Sequence, residues 1–329
     1  MGRILEPPEN RAPTQLDFWS TGGVSQSSAA GGGQHFATGF ERRFAAACYQ
    51  ELDLSLDPTN EAVWCFMRPK GPPSFTATLL AELISVRRTV QRMFAGLSPG
   101  ETAPIRYFVA GSRMPGIYNL GGDLGYFVNS IRARDRDALT RYAHDCVDVG
   151  YHMAVGFHLP MITLCLVQGD ALGDGLEGAL SFNVLVAEKS AKFGLPEILF
   201  NLFPGMGAFS FLSRRLDAVR AEHMILSGRL YSAAELHEMG LIDVLAEDGQ
   251  GEQAVRDYIA RNRRHQAVHR RIRDVRLRVN PLSFEELRDV ADIWVDHAMR
   301  LEESDLRRME RLMNAQIRRL REVRPAAAR

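Results

Sequence analysis

The sequence predicts an α/β fold, and three observations carry that reading. Short apolar runs rich in β-branched residues, such as Ile162–Val167, alternate with longer stretches of helical apolar spacing, such as Thr76–Ala95. Glycine-rich turns close several of the runs, as at Gly169–Gly175. The alternation continues to about residue 250, so strands and helices interleave rather than segregate. Pattern alone leaves two arrangements open: a flat doubly wound sheet, or a coiled succession of ββα turns.

In chain order, Leu52–Leu56 alternates as a strand, and Ala62–Met67 does so more loosely. Pro69–Pro73 is a turn. Thr76–Ala95 places Leu79, Leu80, Leu83, Val86, Val90 and Met93 on one helical face. Arg106–Gly111 is a strand that enters a glycine turn at Tyr118–Leu124, with a helix from Phe127. Asp135–Phe157 is a further helix. Ile162–Gly169 is a strand, Leu176–Leu180 opens a helix, and Asn183–Glu188 and Lys192–Gly194 are strands. Helices follow around Gly207–Leu216, Val219–Leu226 and Ala233–Met239, and Leu241–Leu245 is the last strand. From Ala254 the chain is helical and charged, with a break at Asn280-Pro281. Apolar positions at helical spacing, among them Leu287, Val290, Trp294 and Leu301, run on across Phe284–Ile317.

Three segments follow: a tail over residues 1–35, a core over 36–253, and a helical region over 254–329. The tail is rich in Pro, Gly and Ser and poor in large apolar side chains, so it cannot offset its ordering entropy and reads as disordered. It holds no apolar signal core, and no stretch is long enough to span a bilayer, so a cytoplasmic protein without membrane contact is expected. Forty Lys+Arg balance forty Asp+Glu, which removes any global pull toward nucleic acid or membrane. The basic run Arg261–Arg278 reads as the solvated face of a helix. Cys48, Cys65, Cys146 and Cys165 are scattered with no CxxC pair, as expected of reduced thiols. Cys165 falls in an apolar run and reads as a packing residue. His152 and His158 flank an apolar segment and read as structural.

Chemistry concentrates in two glycine-rich turns. One is Gly173-Asp174-Gly175-Leu176-Glu177. The other is Gly194-Leu195-Pro196-Glu197, which runs on to Phe203-Pro204-Gly205-Met206-Gly207. Each glutamate sits in an early helical position, where unpaired N–H groups carry partial positive charge. Taken singly, each could simply complement a helix dipole. Together they are two acids beside N–H donors, the equipment for moving a proton next to a thioester carbonyl while its enolate is stabilised. Glycines at Leu120-Gly121 would let a second backbone donor approach a ligand. The chain carries no HExxH, P-loop or GxSxG elbow, and neither a metal set nor a cofactor is expected.

These segments resemble the crotonase (enoyl-CoA hydratase/isomerase) superfamily. Ile117–Leu124, Leu166–Leu180 and Phe193–Met206 match it, as does Ile225–Asp243 later in the chain. Val167–Gly173, Leu195–Ala208 and Asp292–Met299 resemble more closely the bacterial diffusible signal factor synthases within it. The resemblance implies a ββα spiral core with a C-terminal helical extension. It implies Glu177 and Glu197 as the catalytic carboxyls, and the N–H groups of Leu120, Gly121 and Asp174 as the oxyanion hole. Met206, Trp294 and Leu312 would line an acyl pocket. The implied reaction is dehydration of a 3-hydroxyacyl thioester on acyl carrier protein, then hydrolysis to a free cis-2-unsaturated fatty acid for quorum sensing. A plain enoyl-CoA hydratase/isomerase and a weakly active regulatory binding homologue are the alternatives. Expected partners are acyl carrier protein, the receiver domain of a sensor kinase, and copies of the chain itself in a trimer or dimer of trimers. One position departs from the pattern: Asp174 stands where the family has glycine.

Overall fold

The computed structural model describes residue 39 and residues 42–44, 48–97 and 105–323. The tail over residues 1–35 and the start of the element near Phe36 lie outside them.

The strands are β1 Leu52–Asp57, β2 Ala62–Met67, β3 Tyr107–Ser112, β4 Gly116–Asn119, β5 Ile162–Val167, β6 Gly169–Leu172, β7 Val184–Glu188, β8 Lys192–Gly194, β9 Leu230–Ser232 and β10 Val244–Ala246. The helices are α1 Ala77–Ala95, α2 Leu124–Arg132, α3 Arg136–Ala154, α4 Asp174–Leu180, α5 Ala208–Arg215, α6 Ala218–Ser227, α7 Ala233–Glu238, α8 Gly251–Asn262, α9 Gln266–Val279, α10 Phe284–Ala298 and α11 Glu303–Val323, and a 3-10 turn occupies Pro196–Phe200.

Two sheets form. The larger runs in the order β1-β2-β3-β5-β7-β10, and the smaller in the order β4-β6-β8-β9. Each turn of chain gives one strand to each sheet: β3 then β4, β5 then β6, β7 then β8. The neighbours β3/β5, β5/β7, β4/β6 and β6/β8 are all parallel. That is a ββα spiral, and it settles the choice that periodicity leaves open. The inner strands β2, β3, β5 and β7 of the larger sheet are buried along their whole length, which is why Ala62–Met67 and Ile162–Val167 read as continuous apolar runs. On one face Leu139, Val147 and Leu79 join the main core. On the other, Val255 and Ile259 of α8 pack with Trp64, Val109, Leu164 and Val186. The expected boundary at 253/254 therefore falls inside a helix that completes the core.

The helix starts carry their own signals. The side chains of Thr76, Asp123, Asp135, Asp217 and Ser283 each accept a hydrogen bond from a backbone N–H three residues on. Ser232 and Glu235 form a capping box. The expected helix that opens at Leu176 begins instead at Asp174, and the run from Phe284 divides at residues 299–302 into α10 and α11. The last strand is Val244–Ala246 rather than Leu241–Leu245. Strands β4, β6 and β9 have four, four and three residues, too short to establish a period of two.

Spiral turns stack closely where glycine permits. A Cβ on Gly169 would lie 2.1 Å from the carbonyl carbon of Gly116 on the adjacent strand β4. Gly169→Ala is expected to lower stability by about 3 kcal/mol or more through overpacking of backbone on backbone. Ser232→Ala, which removes one cap, is expected to cost about 1 kcal/mol. The shift of each urea midpoint from that of the native chain checks the order.

Candidate active site

Strand β6 delivers the chain to Gly173, whose φ of +53° makes the sharp entry into α4. That entry turns both Asp174 and Glu177 inward, to 7% and 2% exposure. Strand β8 delivers Leu195-Pro196 to the 3-10 turn, and Glu197 points back at the same place, 7% exposed. A Cβ on Gly173 would sit 2.5 Å from Glu197 Oε1, so this turn must be bare for the second carboxyl to reach the first. Carboxyl oxygens of Asp174, Glu177 and Glu197 lie within 4.8 Å of one another. The fold thus brings together the two predicted catalytic carboxyls and adds a third.

Glu177 is fixed by backbone. Its Oε1 accepts from the N–H of Met206 at 2.9 Å and of Ala208 at 2.8 Å. Gly207 between them adopts φ +126°, a conformation that leaves both N–H groups aimed at one oxygen. The other oxygens, Asp174 Oδ2, Glu177 Oε2 and Glu197 Oε2, are buried with no donor among the described residues. Protons resolve that arrangement. Burial raises the proton affinity of all three carboxyls, because the charged form loses its water. Asp174 is raised to about 6. Glu197 is raised to about 8, by burial and then by the Asp174 charge. Glu177 is raised well above the carboxylate range, by burial and then by the charges of Asp174 and Glu197. The cluster therefore holds protons at pH values where free carboxyls have lost them, and Asp174 gives up its proton before Glu197. The same oxygens suit a hard divalent cation, which would have to displace those protons.

Two cavities meet at the cluster. The first is lined by Glu177, Met206 and apolar groups that include Cys65, Leu80, Tyr118 and Met153. The second is lined by Glu197, Leu120, Trp294, Leu312 and Gln316. Asp174 lines both, and among the described residues no other is shared between them. The expected acyl-pocket residues are thus divided: Met206 is in one cavity, Trp294 and Leu312 in the other. The C-terminal helices close the second cavity. Gln316 of α11 donates to Leu120 O at 3.2 Å, and a ring nitrogen of His297 on α10 bonds Asn201 O at 2.8 Å. Trp294 packs edge-on to Phe127, with ring centroids 5.1 Å apart, and covers Gly205, where a Cβ would meet the indole at 2.3 Å.

The expected oxyanion hole is only partly formed. Its parts do converge: Asp174 N lies 3.4 Å from where a Cβ on Gly121 would be. But Leu120 N–H donates to Pro73 O at 2.7 Å, and Gly121 N–H donates to the Asn119 side chain at 2.8 Å. The segment that occupies Leu120 is itself held. Phe75 N–H donates to Gly121 O at 2.9 Å, and Tyr142 Oη donates to Phe75 O. Tyr142 and Pro73 have no sequence signal of their own, because each acts through a long-range contact, whereas Asn119 acts on Gly121 two residues on. His152 and His158 lie outside the site: His152 bonds Arg87 and Asp148, as a structural role requires.

The enoyl-CoA hydratase/isomerase family profile matches residues 65–271, most of the described core. The chain belongs to the enoyl-CoA hydratase/isomerase family. It is 32% identical over 164 residues to the mitochondrial methylglutaconyl-CoA hydratase of Rattus norvegicus, covering 46% of each chain. It is 38% identical over 107 residues to a probable enoyl-CoA hydratase of Rhizobium meliloti, covering 32% of this chain and 41% of that one. The chain thus spans less than half the length of these curated relatives. Among solved structures, an enoyl-CoA hydratase from Bacillus halodurans superposes with TM-score 0.65 at 19% identity, over 80% of this chain and all of that one. Pseudomonas aeruginosa DspI superposes with TM-score 0.57 at 20% identity, over 69% of this chain and 86% of that one. Both likenesses are of fold. Among the described residues no helix is long and apolar enough to cross a membrane.

The cluster makes a pH prediction. A carboxyl whose folded proton affinity exceeds its unfolded value keeps its proton longer in the folded chain. Stability therefore falls as pH rises from the ordinary glutamate range through the folded value of about 8 for Glu197. Glu197→Gln removes that ionisation. Its gain in urea midpoint over the native chain should be larger above pH 8 than in mild acid; an equal gain at both would contradict the assignment.

Proposed function

We propose that the chain dehydrates a 3-hydroxyacyl thioester carried on acyl carrier protein and then hydrolyses the product, releasing a cis-2-unsaturated fatty acid signal. The observation that carries this reading is the Glu177–Glu197 pair, two proton-holding carboxyls on opposite sides of the point where two cavities meet. The first cavity supplies an apolar wall for an acyl chain, and the second an entry beneath α10 and α11. The matches of residues 167–173, 195–208 and 292–299 to signal synthases support the specific product, and so does the part α10 and α11 take in the site.

The chemistry balances as follows. One glutamate, ionised, takes the α-proton, and the electrons of the C–H bond move onto the thioester carbonyl. The other glutamate, protonated, gives its proton to the 3-hydroxyl, which leaves as water as the Cα–Cβ double bond forms. A glutamate then takes a proton from water, which attacks the carbonyl carbon. The C–S bond breaks, the carrier thiol takes a proton, and the free acid departs. Backbone donors at Leu120 and Asp174 would hold the carbonyl oxygen in both stages. For Leu120 to do so, the thioester oxygen must take the place of Pro73 O, so substrate entry displaces the Pro73–Phe75 segment.

Asp174 modifies this picture. Its ionised carboxyl beside a developing enolate is unfavourable, and its side chain stands between the two cavities. That favours a second reading, a regulatory homologue that binds acyl thioesters and a kinase receiver domain but turns over slowly. A plain hydratase is the third, distinguished by a product that stays on its carrier thiol.

A ladder of 3-hydroxyacyl carrier proteins, followed by mass analysis of released acids, tests the proposal. Glu177→Gln and Glu197→Gln should each lower release by roughly 100-fold or more, the scale of a lost general acid or base. Release that persists in both variants, or an enoyl group retained on the carrier, would refute it. Asp174→Gly should join the two cavities and speed turnover, most of all for the longer acyl chains; an unchanged profile would show that Asp174 is neutral.

A further inference from the structure

A third cavity adjoins the first along Ser181 and Phe182, which line both. Four arginines line it: Arg214 and Arg215 from α5, Arg273 and Arg276 from α9. Among the described residues no carboxylate lines it. Between the arginines its wall is apolar, with Phe182, Phe211, Leu277 and Leu282.

Four like charges around one cavity repel, so their compensation matters. Arg214 pairs with Glu286 at 2.6 Å, Arg273 with Asp274 at 3.1 Å, and Arg215 with Asp243 at 3.6 Å. Arg276 has no carboxylate within ion-pair distance among the described residues, so the cavity keeps one uncompensated positive charge. Donors are also left over. Arg273 is only 9% exposed, and its Nε–H has no acceptor among the described residues; the buried Nε–H of Arg214 has none either. Buried donors of this kind cost free energy unless something accepts from them. Burial lowers the proton affinity of Arg215, Asp243 opposes that, and the Arg276 charge adds to it. The basic run therefore does more than face solvent: Arg273 turns inward from it.

We propose that this cavity binds a small organic oxyanion, with a carboxylate or phosphate-monoester head on the arginines and an apolar body against Phe211 and Leu277. Guanidinium groups match both head groups with paired N–H donors, and either would supply the missing charge and the missing acceptors. The site is separate from the carboxyl cluster and does not depend on the reaction proposed there.

Calorimetric titration of the full chain with butyrate and with inorganic phosphate, at matched ionic strength, tests it. Saturable binding of one or both is expected, and the tighter of the two names the head group. Arg276→Glu should weaken binding by roughly tenfold or more, the scale of one charge-assisted hydrogen bond. Arg276 is exposed on α9 and makes no ion pair among the described residues, so the variant should keep the native melting profile. Arg278→Glu makes the same charge change on the same helix outside the cavity, and should leave affinity within about twofold. Absence of saturable binding by either anion overturns the proposal. Equal weakening by both variants overturns it too, because that would mark a response to net charge alone.

Discussion

The centre of this protein is governed by the cost of taking three carboxyl groups out of water within 4.8 Å of each other. Ionised together they would repel strongly, and among the described residues no arginine or lysine acts on Glu177 to compensate; the causes there are burial, its two acidic neighbours and the Ala208 N–H. The cluster is neutralised mainly by protons. Two backbone N–H groups hold Glu177 in place, so the segment at residues 206–208 is as much part of the site as the carboxyls. Groups that keep protons at neutral pH are able to give them, which links the electrostatic cost directly to acid catalysis.

The spiral is what makes that burial possible. Each turn ends with a strand of the smaller sheet, and the loops after β4, β6 and β8 come out side by side. The first loop carries Leu120 and Gly121, the second Asp174 and the third Glu197. Close stacking leaves no room for side chains on the facing backbone. A Cβ on Gly175 would meet Asn119 O at 2.2 Å, and one on Gly122 would meet Phe127 and the Asp174 carboxyl. The bare backbone that lets loops pack is the same bare backbone that can approach a substrate. Here it is partly committed to protein contacts, since Pro73 O holds the N–H of Leu120.

The C-terminal helices do two different things. Helices α10 and α11 reach back over the second cavity and tie down the loops at Leu120 and Asn201. Helix α9 lines neither cavity at the carboxyls and places Arg273 and Arg276 with Arg214 and Arg215 of α5 around a third. One pair of cavities therefore gathers acids that hold protons, and an adjoining cavity gathers guanidinium groups that hold charge.

Much of this was legible from local pattern. The long helices over 77–95 and 136–154 and the buried strands at 62–67 and 162–167 follow from short-range chemistry, whereas the helix expected from Phe127 starts at Leu124 behind an Asp123 cap. Glu177 and Glu197 stood out because both follow glycine turns at helix starts, and Asp174 because it replaces a glycine in the matching pattern. What sequence could not express were relations between distant segments. The division of Met206 from Trp294 and Leu312 depends on where a single side chain, Asp174, sits between two cavities. The capture of Leu120 N–H by Pro73 depends on Tyr142, some seventy residues along, holding Phe75. The short strands β4, β6 and β9 exist only because neighbouring turns of the spiral lie beside them. The sequence by itself determined the α/β class and, through its resemblance to a family, marked Glu177 and Glu197, since these rest on periodicity and on local motif. Tertiary structure alone decided how many carboxyls share the site, which cavity each faces and which backbone donors remain free, because burial and hydrogen-bond competition are properties of the packed chain.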